Sequence, residues 1–334
     1  MKSPALDVDD ELGRKARTAR NDAVRLFFQK YATVVGLVLL LLLFFATKPT
    51  VFITVANVRN ILVAVAVLGV IAVGQTVVFS TFDFDMSVGS IAEMTAVICT
   101  SIMVNQHVPW ALALLIALVV GCACGAINGF LVAYVNLNPF IVTMGTLTLF
   151  QGLGYYYTSA ANVTGFTNGF LQIGQGSIGP VPYLVIILVV VAVVAYFVME
   201  RTAVGRRWYA VGGSYEASYL AGLRNRRLRL LAFVVCGACA ALGGMMLASR
   251  LAEAGGSMAD GQTLQSIAAV FLGFTAFKEG FPNIAGTMVG VLFLGVMING
   301  MAINTVNSYL QLVVTGFVVI GSVALAGLMK KGRS

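Results

Sequence analysis

Two carboxylates, a hydroxyl and three amides hold most of the chemical capacity of this sequence. Asp83 and Asp85 stand two residues apart, with Ser87 two further on and Glu93 beyond. Ionisable side chains are costly inside a bilayer and mark an ion path, a gate or a structural pairing. Asp85 and Ser87 could therefore shape the inner mouth of a pathway as a polar break between two helices. Equally, Asp85 could cap the following helix through the amide of Ser87 or Val88. Asn128 and Asn299 could line a path for a hydroxyl-bearing solute, or bond across neighbouring helices. Gln265 lies in a short apolar run with Gln262 and Ser266, which suits a broken or re-entrant segment.

The residues that catalysis needs are missing. His107 is the single histidine, so neither a His-pair zinc site nor a Ser/His triad is supported. No Gly-Lys dipeptide occurs, and without it no phosphate-binding loop of the Walker type can form. Cys236-Gly-Ala-Cys239 has redox spacing, but no alternation of strand and helix surrounds it. The other cysteines, Cys99, Cys122 and Cys124, lie in apolar runs and read as small packing residues. No enzyme chemistry, metal or cofactor is expected.

Those polar residues must be held by membrane helices. Of 334 residues 59% are hydrophobic and only 10% charged. A soluble domain carries about a quarter charged residues. Apolar runs fall at 31–47, 61–80, 88–104, 110–134, 139–157, 182–199, 228–248, 264–277, 284–302 and 309–328. A span needs roughly 20 residues, so an all-α bundle of about ten spans is expected. The first run could be a signal peptide, but bulky Phe44 and Phe45 and a long charged leader oppose cleavage there.

Charge placement sets the orientation. The segment 1–30 reads as a basic cytoplasmic leader, 31–329 as the transmembrane domain and 330–334 as a cytoplasmic tail. With ten spans, the basic residues of the leader, of 200–229 and of the tail, together with Lys278, share one side. Only Lys48, Arg59 and Arg250 fall on the other. The basic side is the cytoplasmic one. The net charge of +8 thus reflects membrane topology, and no nucleic-acid partner is expected.

The cytoplasmic stretch 200–227 is too small for a core of its own. Within it Ser214 suits an N-cap, Glu216 the first turn and Gly222 the stop of a two-turn helix. So short a helix is marginal in water and must dock on something. Gly125-Ala126-Ile127-Asn128-Gly129 resembles Gly295-Val296-Met297-Ile298-Asn299-Gly300. Spans 2–5 and 7–10 could be inverted repeats, an arrangement common in transporters. Glycines recur every four residues at 121, 125 and 129, and again at 286 and 290, which lets helices approach closely.

Four stretches together resemble the permease subunits of ribose/xylose-type ABC sugar importers. Gly74-Gln75-Thr76…Asp85-Met86-Ser87-Val88-Gly89-Ser90 is similar to that family's GxT…GGIDLSVGS. Gly125-Ala126-Ile127-Asn128-Gly129…Asn138-Pro139-Phe140-Ile141-Val142-Thr143-Met144-Gly145-Thr146 is similar to GxxNG…PPFIxTLGT. The Gly212–Gly222 segment resembles GGNxxAAxLSGI, and Ile284-Ala285-Gly286-Thr287…Asn299-Gly300 resembles GTxxGxxxxGxxxNG. They run in order from about residue 55 to 328.

The resemblance implies a type II importer in the inner membrane. Its partners would be two cytoplasmic ATP-binding subunits, a periplasmic solute-binding protein and a second copy or sister permease. It also implies that the 212–222 helix docks on the ATPase. Gly212 and Gly213 would permit a tight entry, Glu216, Ala217 and Tyr219 would make contact, and Gly222 would close the helix. Asp83, Asp85, Ser87, Asn128, Gln265 and Asn299 would belong to the pathway or its gate. A monosaccharide or polyol would be the solute. Import of nucleosides or branched-chain amino acids, and ion-coupled secondary transport, are the alternatives. Departures from the family pattern are plain. Phe82 and Asp83 replace two glycines, Thr263 and Gln265 replace acids, and Phe274 replaces a glycine. Ser214 and Ala221 stand for the usual Asn and Ser.

Overall fold

The computed structural model describes residues 31–274 and 280–331, with side chains to 324. The leader and Lys278 lie outside the described residues. Its helices are α1 (Tyr31–Thr47), α2 (Pro49–Phe52), α3 (Val55–Phe79), α4 (Val88–Asn105), α5 (Trp110–Ala133) and α6 (Pro139–Thr158). After α7 (Asn168–Gln175) a two-residue hairpin, β1 (Ser177–Ile178) and β2 (Val181–Pro182), leads to α8 (Tyr183–Arg201). Then follow α9 (Ala203–Gly213), α10 (Tyr215–Leu220), α11 (Asn225–Leu251), α12 (Gln262–Gly273), α13 (Ile284–Ile303) and α14 (Ser308–Lys331).

Each apolar run expected to span forms a helix, within a few residues at most ends. Six of them, α3, α4, α5, α8, α11 and α13, are long and apolar enough to cross a membrane by that measure alone. The helix of the eighth run is short: α12 has 12 residues. The remainder of that run reaches residues that are not described.

The centre of the bundle is α3 and α11. From Val63 to Val78 every residue of α3 is buried except Ala64, so this helix has no lipid-facing side over that stretch. It lies among α8, α11, α12 and α13. α5 and α11 pack backbone to backbone through their glycines. A Cβ at Gly125 would collide with the Phe233 carbonyl oxygen, and one at Gly237 with the Gly121 carbonyl oxygen. At Gly129 it would stand 2.9 Å from the Leu230 Cα. In a bilayer such contact supplies the dispersion energy that lipid tails cannot distinguish from packing on themselves.

The helix contacts fit a repeat of α3–α6 in α11–α14. If α3–α6 correspond to α11–α14, each contact in one half has a counterpart in the other. α5 on α11 matches α13 on α3, α4 on α6 matches α12 on α14, and α4 on α11 matches α12 on α3. Local caps repeat as well. Asn138 Oδ1 accepts from the Phe140 amide at 2.9 Å, and Asn307 Oδ1 from the Tyr309 amide at 2.8 Å.

Two elements go beyond the sequence expectation. α7 lies against α11, where the Ser249 hydroxyl donates to the Phe170 carbonyl at 2.6 Å and accepts from the Gly174 amide at 2.7 Å. α9 is a further helix of the 200–227 stretch. Thr202 caps it through the Gly205 amide, and its Trp208 indole donates to the Leu228 carbonyl at 2.9 Å. Gly212 and Gly213 therefore end a helix and do not form an entry turn; Ser214, extended at φ −157°, makes the corner.

Candidate functional site

The polar residues picked out in the sequence form one buried cluster and several separate contacts. Eight residues, 80–87, break the chain between α3 and α4. Within that break Asp85 is fully buried. Its Oδ1 accepts from the Ser87 amide at 2.8 Å and the Ser87 hydroxyl at 2.6 Å, so the capping geometry is present. Asn128 arrives from α5, one turn short of its end, and its Nδ2 donates to Ser87 Oγ at 2.8 Å and to Asp85 Oδ2 at 3.3 Å. From α3, Gln75 Nε2 donates to the Asp85 carbonyl at 2.7 Å. The Cys236 thiol of α11 donates to Gln75 Oε1 at 3.6 Å. The carboxylate thus takes Ser87 and Asn128, while Gln75, backed by Cys236, holds the Asp85 backbone. The Asn128 Oδ1 oxygen is buried without a partner among the described residues.

Asp83 takes a different partner. Arg229 Nε donates to its Oδ2 at 2.7 Å and Nη2 to its Oδ1 at 2.6 Å, a bidentate pair, with the Thr81 hydroxyl adding a bond of 3.1 Å. From sequence alone Arg229 is one more cytoplasmic charge. The signal was available: an acid closing one helix and a base opening another fall at the same membrane depth. Phe82 beside it has φ +63°, in the left-handed region that a bulky side chain rarely adopts.

An aromatic layer adjoins the break. Phe79 meets Phe84 at 6.1 Å, Phe271 at 5.1 Å and Phe274 at 6.1 Å between ring centroids, and Phe84 meets Phe140 at 6.0 Å. Phe274, a departure from the family pattern, is part of this layer. Thr263, another departure, accepts the Gly89 amide at 3.0 Å and so joins α12 to α4.

Two candidate pathway residues lie apart from the cluster. Asn299 Nδ2 donates to Asn57 Oδ1 at 3.0 Å, at the opposite end of α3 from Asp85. Its bond runs between helices. Gln265 is half-buried on α12 and separate from the Asp85 cluster. Glu93 accepts the Ala259 amide at 3.1 Å, which ties α4 to the turn before α12.

The short helix α10 is built as its sequence dictates. Ser214 Oγ accepts from the Ala217 amide at 3.2 Å, Glu216 stands in the first turn, and Gly222 closes the end at φ +80°. Only Ser218 is buried. Glu216, Ala217 and Tyr219 are exposed, Tyr219 at 67%. Asn225 Nδ2 ties the helix down through the Tyr215 carbonyl at 2.8 Å and Ser218 Oγ at 2.9 Å. Beside it lies a recess of about 790 Å³ whose lining includes Tyr215, Tyr219, Arg224, Arg226 and Arg227.

Residues 57–323 match the family described as the branched-chain amino acid transport system / permease component. The chain is 35% identical over 299 residues to the ribose import permease protein of Bacillus subtilis (strain 168), covering 89% of this chain and 92% of that protein. It is 33% identical over 306 residues to the D-allose transport system permease protein of Escherichia coli (strain K12), covering 92% and 94%. The galactose/methyl galactoside import permease protein of the same bacterium is 29% identical over 313 residues, covering 88% and 93%. No solved structure matches. The chain belongs to this family of transport-system permeases, and it is a membrane transport subunit rather than an enzyme.

Proposed function

We propose that the chain is the permease half of an ATP-driven importer that carries a monosaccharide or related polyol into the cytoplasm. The observation that carries this reading is the match to ribose and allose permeases over about nine-tenths of both chains. The inverted repeat supports alternating access, in which one half rocks against the other. About ten spans, with both ends cytoplasmic in the inner membrane, fit the charge bias of the sequence.

ATP would be hydrolysed on separate cytoplasmic subunits that receive α10 through Glu216, Ala217 and Tyr219. Gly212 would let α9 lie close on the end of α3, since a Cβ there would collide with the Ser80 carbonyl oxygen. A periplasmic binding protein would deliver the solute, and a second copy or a sister permease would complete the path. Asp85, Ser87 and Asn128 would form the inner gate. The family description names branched-chain amino acid transport, the second reading, but the match to sugar permeases over about nine-tenths of the chain does not favour it.

Uptake separates the two. Inverted inner-membrane vesicles have the wrong face outward, so right-side-out vesicles loaded with ATP and supplied with the cognate binding protein are the material. They should accumulate labelled ribose, allose or galactose, with no accumulation of leucine. Leucine uptake without sugar uptake would reverse the assignment. Uptake that survives ATP depletion but not collapse of the ion gradient would overturn the ATP-driven reading.

A further inference from the structure

We propose that Arg229 is a positioning residue that links the short cytoplasmic helix to the buried Asp85 cluster through Asp83. This rests on the importer reading above. Three contacts make the link. The Arg229 guanidinium lies 6.0 Å from the Tyr215 ring centroid of α10. The same guanidinium holds both oxygens of Asp83, which is 3% exposed. Two residues on, Asp85 collects Ser87 and Asn128.

The planar guanidinium fork fixes orientation as well as distance, because its two parallel bonds define a plane. A movement of α10 together with the start of α11 that displaces Arg229 must drag the 80–87 break with it or break the pair. The hydrogen bonds of Asn225 make α10 and the start of α11 move as one body. The collision that any side chain at Gly212 would make with Ser80 shows that α9 presses on the same break from its other side.

An acid as buried as Asp83 would be expensive without a cation, and Arg229 supplies one through both arms of its fork. The pair therefore adds a side-chain connection to the backbone contacts of the break.

The test uses a single cysteine reporter at the exposed Phe82, Phe82→Cys, in the permease purified with its own ATPase in lipid nanodiscs. N-ethylmaleimide labelling is timed with and without ATP and vanadate, and the chain without the reporter gives the background. Trapping should change the labelling rate about tenfold. Asp83→Asn and Arg229→Gln should each abolish that change while ATP hydrolysis and ATPase co-purification persist. The double variant should be no worse than either single one, because both remove the same link. A nucleotide-dependent change that persists in both variants would overturn the linkage, as would a break that never responds in the unsubstituted pair. Failure of any ATPase to co-purify would instead overturn the importer reading itself, and with it the linkage.

Discussion

Replacing Asp85 with Ala is expected to cost the protein most of its folded yield in the membrane, and Asp85→Asn to keep the yield but lower uptake about tenfold. The carboxylate accepts from the Ser87 amide, the Ser87 hydroxyl and the Asn128 amide, all buried. Truncation to Ala strands the Ser87 amide and hydroxyl where water does not reach, and leaves Asn128 with Ser87 Oγ alone. Each stranded group costs about 1–3 kcal/mol, and a folded domain has only about 5–15 kcal/mol in total. Asparagine keeps one oxygen for Ser87 and replaces the other with an NH2 group. Asn128 can meet that group by turning its amide, because its own Oδ1 lacks a partner among the described residues. The fold therefore survives while the charge at the break is gone. Size-exclusion profiles of detergent extracts give the yield and vesicle uptake gives the function. Unchanged uptake in D85N at normal yield would leave Asp85 with the capping role alone.

Gly125→Leu is expected to prevent α5 from seating on α11. The space for its side chain is already filled by the Phe233 carbonyl and the Val234 Cα, which is 3.0 Å from an added Cβ. Backbone cannot rotate away as a side chain can. The helices would have to separate by more than a methyl group along a seam that includes Gly121, Gly129 and Gly237. Overpacking typically costs about 1–3 kcal/mol, and a clash against main chain belongs at the top of that range. The matched control is Gly145→Leu on α6, where nothing lies within 4 Å of an added Cβ. Loss of monodisperse protein in the first variant and not in the second is the predicted outcome. Equal yields would mean that α5 and α11 are not packed so closely.

How much of this was legible in the sequence depends on whether a feature is local. The apolar helices were, because long apolar runs need no knowledge of neighbours. The cap of α10 was, because Ser214, Glu216 and Gly222 act within two turns. The short α12 was, since its polar residues interrupt the run. α9 escaped because its outline, Arg206 and Arg207 beside Trp208, reads as a charged loop until its indole finds Leu228. α7 escaped for a similar reason: a single turn or two of apolar spacing gains meaning only when Ser249 of α11 reaches it. The site divided along the same line. Asp85 and Ser87, two residues apart, declared their bond. Asp83 and Arg229 lie 146 residues apart, and only the tertiary fold brings them together. Asn299, paired by motif similarity with Asn128, has a different neighbour, Asn57 at the far end of α3, and that contact too is set by the tertiary fold.

The central claim, that α10 couples this permease to a separate ATPase, is tested most directly by affinity purification of the tagged chain from its native membranes in mild detergent, followed by mass spectrometry. A coupled permease should bring down a stoichiometric ATPase bearing a phosphate-binding loop. Replacing Glu216 and Tyr219 together with Ala should release that ATPase, since removing a central aromatic contact weakens an interface by about 2 kcal/mol or more. A chain that purifies alone, or an ATPase that remains bound after both substitutions, would contradict the claim.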